Sequence, residues 1–250
     1  MDSEPIIKVS NLRKKYKGAH DEALRGIDLR ITSGEFFGLL GPNAAGKSTL
    51  ISILCGILDY SSGEVQVLGE KINRKSVHFK NKIGLIPQEI ALYPALTVIE
   101  NILFFGQMHG LSGKKLRMRA DECIGKFNLG EHRNKLISRC SGGIKRRVNL
   151  VAGVIHDPVL ILLDEPTLGV DPQLRSMIFD YLLALNKAGA TLIYTTHYMK
   201  EAEMLCNRVS IIDHGVILRE GSPDKLIASV PGCNDLGQLF LTLTGRELRD

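Results

Sequence analysis

The stretch FFGLLGPNAAGKSTLISILCGI, residues 36–57, carries a strand, a loop and a helix in succession. FFGLLGP (36–42) is a continuous apolar run closed by Gly-Pro, as expected of a buried strand feeding a loop. From Gly46 to Ile57 the apolar residues Leu50, Ile53, Leu54 and Ile57 recur at helical spacing. Between them GPNAAGKST (41–49) satisfies the pattern G-x-x-x-x-G-K-[ST], in the strand-to-helix context the pattern requires. In such a loop the backbone N–H groups of Gly41, Pro42, Asn43, Ala44, Ala45, Gly46, Lys47, Ser48 and Thr49 (proline excepted) and the helix N-terminus converge on a triphosphate. Lys47 is expected to neutralise the β- and γ-phosphates, and Ser48 to hold Mg²⁺ through its hydroxyl.

Outward from this loop, IIKVSNL (6–12) and GIDLRITSGE (26–35) alternate like half-buried antiparallel strands. SSGEVQVLG (61–69) reads as a turn and a strand, and KIGLIPQ (82–88) as one more buried strand. Over residues 96–154 strand signals vanish, and TVIENILFFGQMHGL and KKLRMRADECIGKFNL predict a helical insert. Alternation then resumes with strands in PVLILLDEP (158–166), TLIYTTH (191–197) and RVSIID (208–213), and helices over Pro172–Lys187 and Met199–Leu205. This order predicts an α/β fold: a mainly parallel sheet wrapped by helices, with an N-terminal antiparallel β subdomain and an inserted α-helical subdomain. A second chemical signal sits in PVLILLDEP, where an apolar run ends in two carboxylates. Parallel sheets bind ligands at the C-terminal edge of their strands. Asp164 is therefore placed to hold the Mg²⁺ shell and Glu165 to accept a proton from an attacking water.

Composition bounds the rest. With 44% hydrophobic and 24% charged residues the chain has the balance of an ordinary globular protein. No stretch approaches the roughly 18–20 uninterrupted apolar residues of a membrane-spanning helix. The acidic start MDSEPIIKVSNLRKKY lacks an apolar segment before a cleavage site, so the chain is expected to stay in the cytosol. A net charge of +5 is mild, and RKKYK (13–17) and KRR (145–147) read as solvated faces plus phosphate-binding residues in preference to a nucleic-acid or anionic membrane surface. Five cysteines (55, 123, 140, 206 and 233), without a CxxC pair, read as reduced thiols.

The order of GPNAAGKST, Gln88 after a buried strand, SGG at 141–143, DEP at 164–166, Asp171 and His197 after a strand resembles the ABC ATPases over nearly the whole chain. The resemblance implies a P-loop ATPase domain over residues 1–230, with core 1–95 and 155–230, helical subdomain 96–154, and a separate C-terminal tail at 231–250. It implies that Tyr16 stacks on adenine and that Gln88 touches Mg²⁺ and senses a partner protein. It also implies that Ser141, Gly142 and Gly143 cap the ATP of a second subunit, that Asp171 lies at the dimer seam, and that His197 meets the γ-phosphate. Ser141 has an alternative role as the N-cap of a helix. LYPALTVIENILFFGQMHGLS and the closing LFLTLTGRELRD are similar to the ABC-2 exporter ATPases of the daunorubicin-resistance group. These pair with a membrane permease at the cytoplasmic face and with a second ATPase subunit, identical or not.

Two positions depart from the family pattern: Ala44 stands where glycine is usual, and CSGGI where the signature usually begins with Leu and ends in Gln. Ala44 strains the loop if its φ is positive, and Ile144 is expected to lack a polar group near the γ-phosphate. A soluble ABC ATPase of translation or DNA repair is the alternative, but this chain has one cassette, with no zinc motif or long insert. A regulator that has lost hydrolysis is the other, and Glu165 and His197 argue against it.

Overall fold

The computed structural model describes residues 5–72 and 78–245. The antiparallel strands β1 (Pro5–Lys15) and β2 (Glu22–Thr32) lead into β3 (Phe36–Leu40), the loop and α1 (Lys47–Leu54). Next come β4 (Ser62–Val67), β5 (Glu70–Lys71) and β6 (Ile83–Ile86). The insert contributes α2 (Val98–Met108), α3 (Gly113–Lys126) and α4 (Gly142–Val154). Alternation then runs through β7 (Leu160–Asp164), α5 (Pro172–Lys187), β8 (Thr191–Thr196), α6 (Met199–Leu205) and β9 (Arg208–Asp213). The chain closes with β10 (Val216–Gly221), α7 (Pro223–Ala228) and α8 (Leu236–Thr244).

Two sheets stand on either side of α1. The larger has the order β10-β9-β3-β8-β7-β6, parallel except for β10 against β9; the smaller, wholly antiparallel, has the order β2-β1-β4-β5. The parallel strands are buried on both faces, which is why they read as unbroken apolar runs. Their side chains alternate between two cores. Phe36, Leu40, Ile161, Leu163, Leu192 and Tyr194 join one with the helical insert, while Phe37, Leu39, Leu160, Leu162 and Ile193 join the other with α1 and the small sheet. Each such side chain fully buried contributes about 1.5–3 kcal/mol.

The sequence places α5, α6 and β9 with the ends the structure has, but other elements differ. The helix expected to reach Ile57 stops at Leu54, because Gly56 turns the chain through φ 65° and leaves Ile57 58% exposed. Strand β10 and helices α7 and α8 were absent from the sequence reading. The segment set apart as a tail carries α8, whose Leu236, Leu239 and Phe240 are buried in the same core as the insert and the sheet. The last five residues of LFLTLTGRELRD lie outside the described residues. The basic run at 145–147 is no solvated face either. Arg146 is 8% exposed and donates to the backbone oxygens of Pro87 (3.3 Å) and Gln88 (2.9 Å), and Arg147 donates to those of Phe127 and Asn128. All five cysteines are free thiols, four of them buried, and burial raises the pKa of Cys55, Cys123 and Cys206.

Candidate active site

Strand order brings the chemistry together. β3, β7 and β8 are parallel neighbours, so the 41–46 loop, the Asp164-Glu165 pair and His197 all leave the sheet at its C-terminal edge. Gly41 passes so close to the β9 strand that a Cβ there would collide with the Ile212 carbonyl oxygen. Ala44 holds φ 65° and Gly46 φ 110°, so the loop does need a left-handed angle where this chain has alanine. No side chain caps α1, whose first N–H groups therefore point into the loop without an intrahelical acceptor.

Lys47 is 5% exposed and bends back over the loop: its Nζ donates to Gly41 O (2.8 Å) and Pro42 O (3.1 Å) and lies 3.1 Å from Glu165 Oε1. Ala45 N donates to Pro42 O, while Asn43, Ala44 and Ser48 are exposed at the mouth. Glu165 itself has φ 46°, a strained angle for a non-glycine residue, held by its N–H donating to Thr195 O (3.2 Å) and Oγ1 (3.0 Å). Thr195 Oγ1 donates in turn to Asp164 Oδ1 at 2.6 Å, which sets that carboxylate's orientation. His197 Nδ1 is 3.0 Å from Glu165 Oε2, yet off the line of a hydrogen bond, so both atoms are buried polar atoms without a hydrogen-bond partner. Most buried polar side-chain atoms have a partner, and among the described residues the others without one are Arg147 Nε, Arg175 Nε and the Nδ1 atoms of His109 and His156. The Tyr16 hydroxyl meets Thr49 Oγ1 at 3.1 Å, which sets its ring, 43% exposed, beside the first turn of α1.

Gln88 lies two residues past the end of β6, exposed, on the same edge of the sheet. Its carbonyl is held by Arg146 of α4, and Asn149 of the same helix bonds Pro87 O and the Ala91 N–H. Sequence reading missed both residues: neither falls in a motif, and Arg146 looked like one of several surface bases. Ser141, Gly142 and Gly143 begin α4 elsewhere. Ser141 has N-cap backbone angles, but its hydroxyl makes no capping bond, so the capping alternative is not realised. Ser141 and Gly143 line a surface cleft with Asn128, Arg147, Asp171 and Gln173, and no residue of 41–49 borders it. Asp171 caps α5 by accepting from Leu174 N at 3.0 Å. Ile144 contradicts its expectation. It is 6% exposed and packed in the core of the insert, facing inward, so it withdraws no polar group from this cleft.

Residues 24–168 match the sequence profile of the ABC transporter family. The linearmycin resistance ATP-binding protein LnrL of Bacillus subtilis is 43% identical over 227 residues, 91% of this chain and 72% of that protein. The daunorubicin/doxorubicin resistance ATP-binding protein DrrA of Streptomyces peucetius is 37% identical over 232 residues, 92% of this chain and 70% of that one. Among solved structures, the ATP-binding cassette MJ0796, a dimer in a post-hydrolysis state bound to ADP and Pi, superposes with TM-score 0.79. It is 31% identical and covers 86% of this chain and 98% of its own. The chain is an α/β ATPase built on a phosphate-binding loop, and it belongs to the ABC transporter family. Within that family it is an ATP-binding subunit. Among the described residues, no helix is long and apolar enough to cross a membrane.

Proposed function

We propose that two copies of this ATPase close over MgATP and that hydrolysis drives export through a separate membrane permease. The observation that carries the reading is the meeting of Lys47, Glu165 and His197 within 3.1 Å contacts beside the uncapped N-terminus of α1. A triphosphate offers Lys47 more negative charge than the Glu165 carboxylate does. Its arrival would draw the ammonium to the β- and γ-phosphates and release Glu165. Freed, Glu165 would take the proton of the attacking water on its carboxylate, with His197 beside Oε2 facing the γ-phosphate. Ser48, Gln88 and Asp164 would hold Mg²⁺, since hydroxyl, amide and carboxylate oxygens suit a hard divalent cation. Bound there, the ion would supply positive charge to offset that of the phosphates.

Tyr16 would stack on the adenine, and Ser141 to Gly143 would cap the nucleotide of the partner across a seam at Asp171. Export is supported by the names of the resistance relatives, and by that of the Nod factor export ATP-binding protein I of Rhizobium sp. (strain N33), 41% identical. An apolar groove lined by Ile57, Leu85, Pro87, Ala91 and Phe105 runs beside Gln88 and suits a permease segment at the cytoplasmic face. Neither the net charge nor the fold calls for nucleic acid. On this reading the chain divides into a core (1–95 and 155–230) and a helical subdomain (96–154). The test is turnover in purified protein. Glu165→Gln is expected to bind MgATP but lose about 10²–10⁴-fold in rate, and Lys47→Ala to lose both binding and turnover. Wild-type turnover in either variant overturns the assignment.

A further inference from the structure

Behind His197 lies a buried carboxylate that the proposed chemistry does not use. Glu201, on α6, is 4% exposed. A buried charge requires partners, and Glu201 takes them from both arms of the site. Thr167 Oγ1 lies 3.0 Å from each of its oxygens, Tyr194 OH donates to Oε2 at 2.7 Å, and Thr196 Oγ1 donates to the same oxygen at 3.2 Å. Thr167, Tyr194 and Thr196 are themselves buried, at 1%, 0% and 2% exposure. Because a carboxylate only accepts, the hydroxyls around it point one way, and charge-assisted bonds of this kind are about twice as strong as neutral ones.

The connections run straight to the reacting groups. Thr167 sits two residues beyond Glu165 in a tight turn, closed by Leu168 N to Glu165 O (3.2 Å) and Val170 N to Thr167 O (3.2 Å). Thr196 immediately precedes His197, and its Oγ1 also accepts from Tyr198 N at 2.9 Å, so His197 is gripped on both sides. Arg175 of α5 comes within 3.5 Å of Glu201 Oε1, reaches back to Val170 O (3.4 Å) and lies 5.7 Å from the centre of the Tyr198 ring. None of the Glu201 bonds reaches the 41–49 loop.

We infer that Glu201 is a positioning residue for ATP hydrolysis, a hub that holds the Glu165 turn and the His197 strand end in one fixed register. This rests on the roles proposed above for Glu165 and His197. The carboxylate does no chemistry; it maintains the 3.0 Å approach of His197 to Glu165. Glu201→Gln keeps the shape but replaces one acceptor oxygen by a donor, so the hydroxyl array must reverse in part. Thr196→Val removes only the His197 arm.

The experiment measures kcat, MgATP affinity and melting temperature in the full chain for Glu201→Gln, Thr196→Val and their double variant, with Glu165→Gln alongside. The expected result is a loss of at least tenfold in kcat for Glu201→Gln with affinity within about threefold of wild type. The double variant should be no slower than the slower single one, because the two residues act through one link. If turnover per folded molecule stays within twofold of wild type while Glu165→Gln is inactive, the inference is overturned. Loss of affinity with kcat retained also overturns it. Wild-type turnover in Glu165→Gln would instead remove the reading on which it stands.

Discussion

Ala44 and Glu165 hold left-handed backbone angles that glycine adopts freely, and for different reasons. At Glu165 the angle turns the carboxylate from the end of β7 toward Lys47 and His197, where strain serves the geometry of a site. At Ala44 the side chain is an exposed methyl group, which gives nothing in return for the strain. A non-glycine residue there costs about 1–2 kcal/mol, offset in part by the greater unfolded-state entropy of glycine, about 0.4–1 kcal/mol. Ala44→Gly is therefore expected to stabilise the protein by roughly 0.5–1 kcal/mol, a rise of a few degrees in Tm by calorimetry; a fall in Tm would refute the strain argument. Ile144 shows the opposite lesson. Its place in a signature motif suggested contact with nucleotide, yet it is core, and Ile144→Gln would bury an amide without a partner. The expected cost is roughly 2–3 kcal/mol, read as a Tm lowered by about 4–12 °C. An unchanged Tm would mean that the side chain faces solvent after all.

Among the elements, α2 and α4 are fastened to the sheet by a pair of histidines. His109, at the end of α2, and His156, just past α4, stack with ring centroids 3.6 Å apart and planes 2° apart. His156 Nε2–H donates to Ile83 O of β6 at 3.0 Å. Burial first, and the facing His109 second, push the His156 pKa down to about 4 from an ordinary value of 6.5. His156 is thus neutral when folded, and the unfolded chain binds the extra proton between those values. Its contribution is fully present above about pH 6.5 and is lost as pH falls toward 4, by about 1–2 kcal/mol after solvent screening. Urea melts from pH 4 to 7 should show a shallower slope with pH in His156→Gln than in wild type; equal slopes would exclude this pair as the cause. Neither histidine was singled out in the sequence, since a stack between residues 47 positions apart leaves no local pattern. The elements that could be read were those with continuous apolar runs or helical periods, such as β3, β7 and α5. β10 was missed because an edge strand only half-buried lacks either signal. α8 had a signal that went unused, Asp235 accepting from Gln238 N ahead of Leu236, Leu239 and Phe240. The loop lysine, the two acids and His197 were legible because motif and strand end coincide. Glu201 and Arg146 were not, because their roles exist only across the fold.

For the whole molecule the central matter is whether Ser141 and Gly143 cap the nucleotide of a second copy, as proposed above. Lys47, Asp164, Glu165 and His197 gather at one edge of the sheet, whereas Ser141 and Gly143 open on a cleft that no residue of the 41–49 loop borders. On that proposal, two-fold pairing would bring the loop of one copy against the cleft of the other and yield two equivalent sites. Exposed Ser141 tolerates a large substituent without disturbing the core, so Ser141→Arg should block capping and leave the fold intact. The most direct measurement is MgATP turnover of Lys47→Ala mixed in equal amounts with Ser141→Arg, each inactive alone. If the sites are shared between subunits, half the dimers are mixed and each has one intact site, so the mixture regains about a quarter of wild-type turnover per protomer. Turnover no greater than that of the separate parents, with mixed dimers shown to form, would contradict the account.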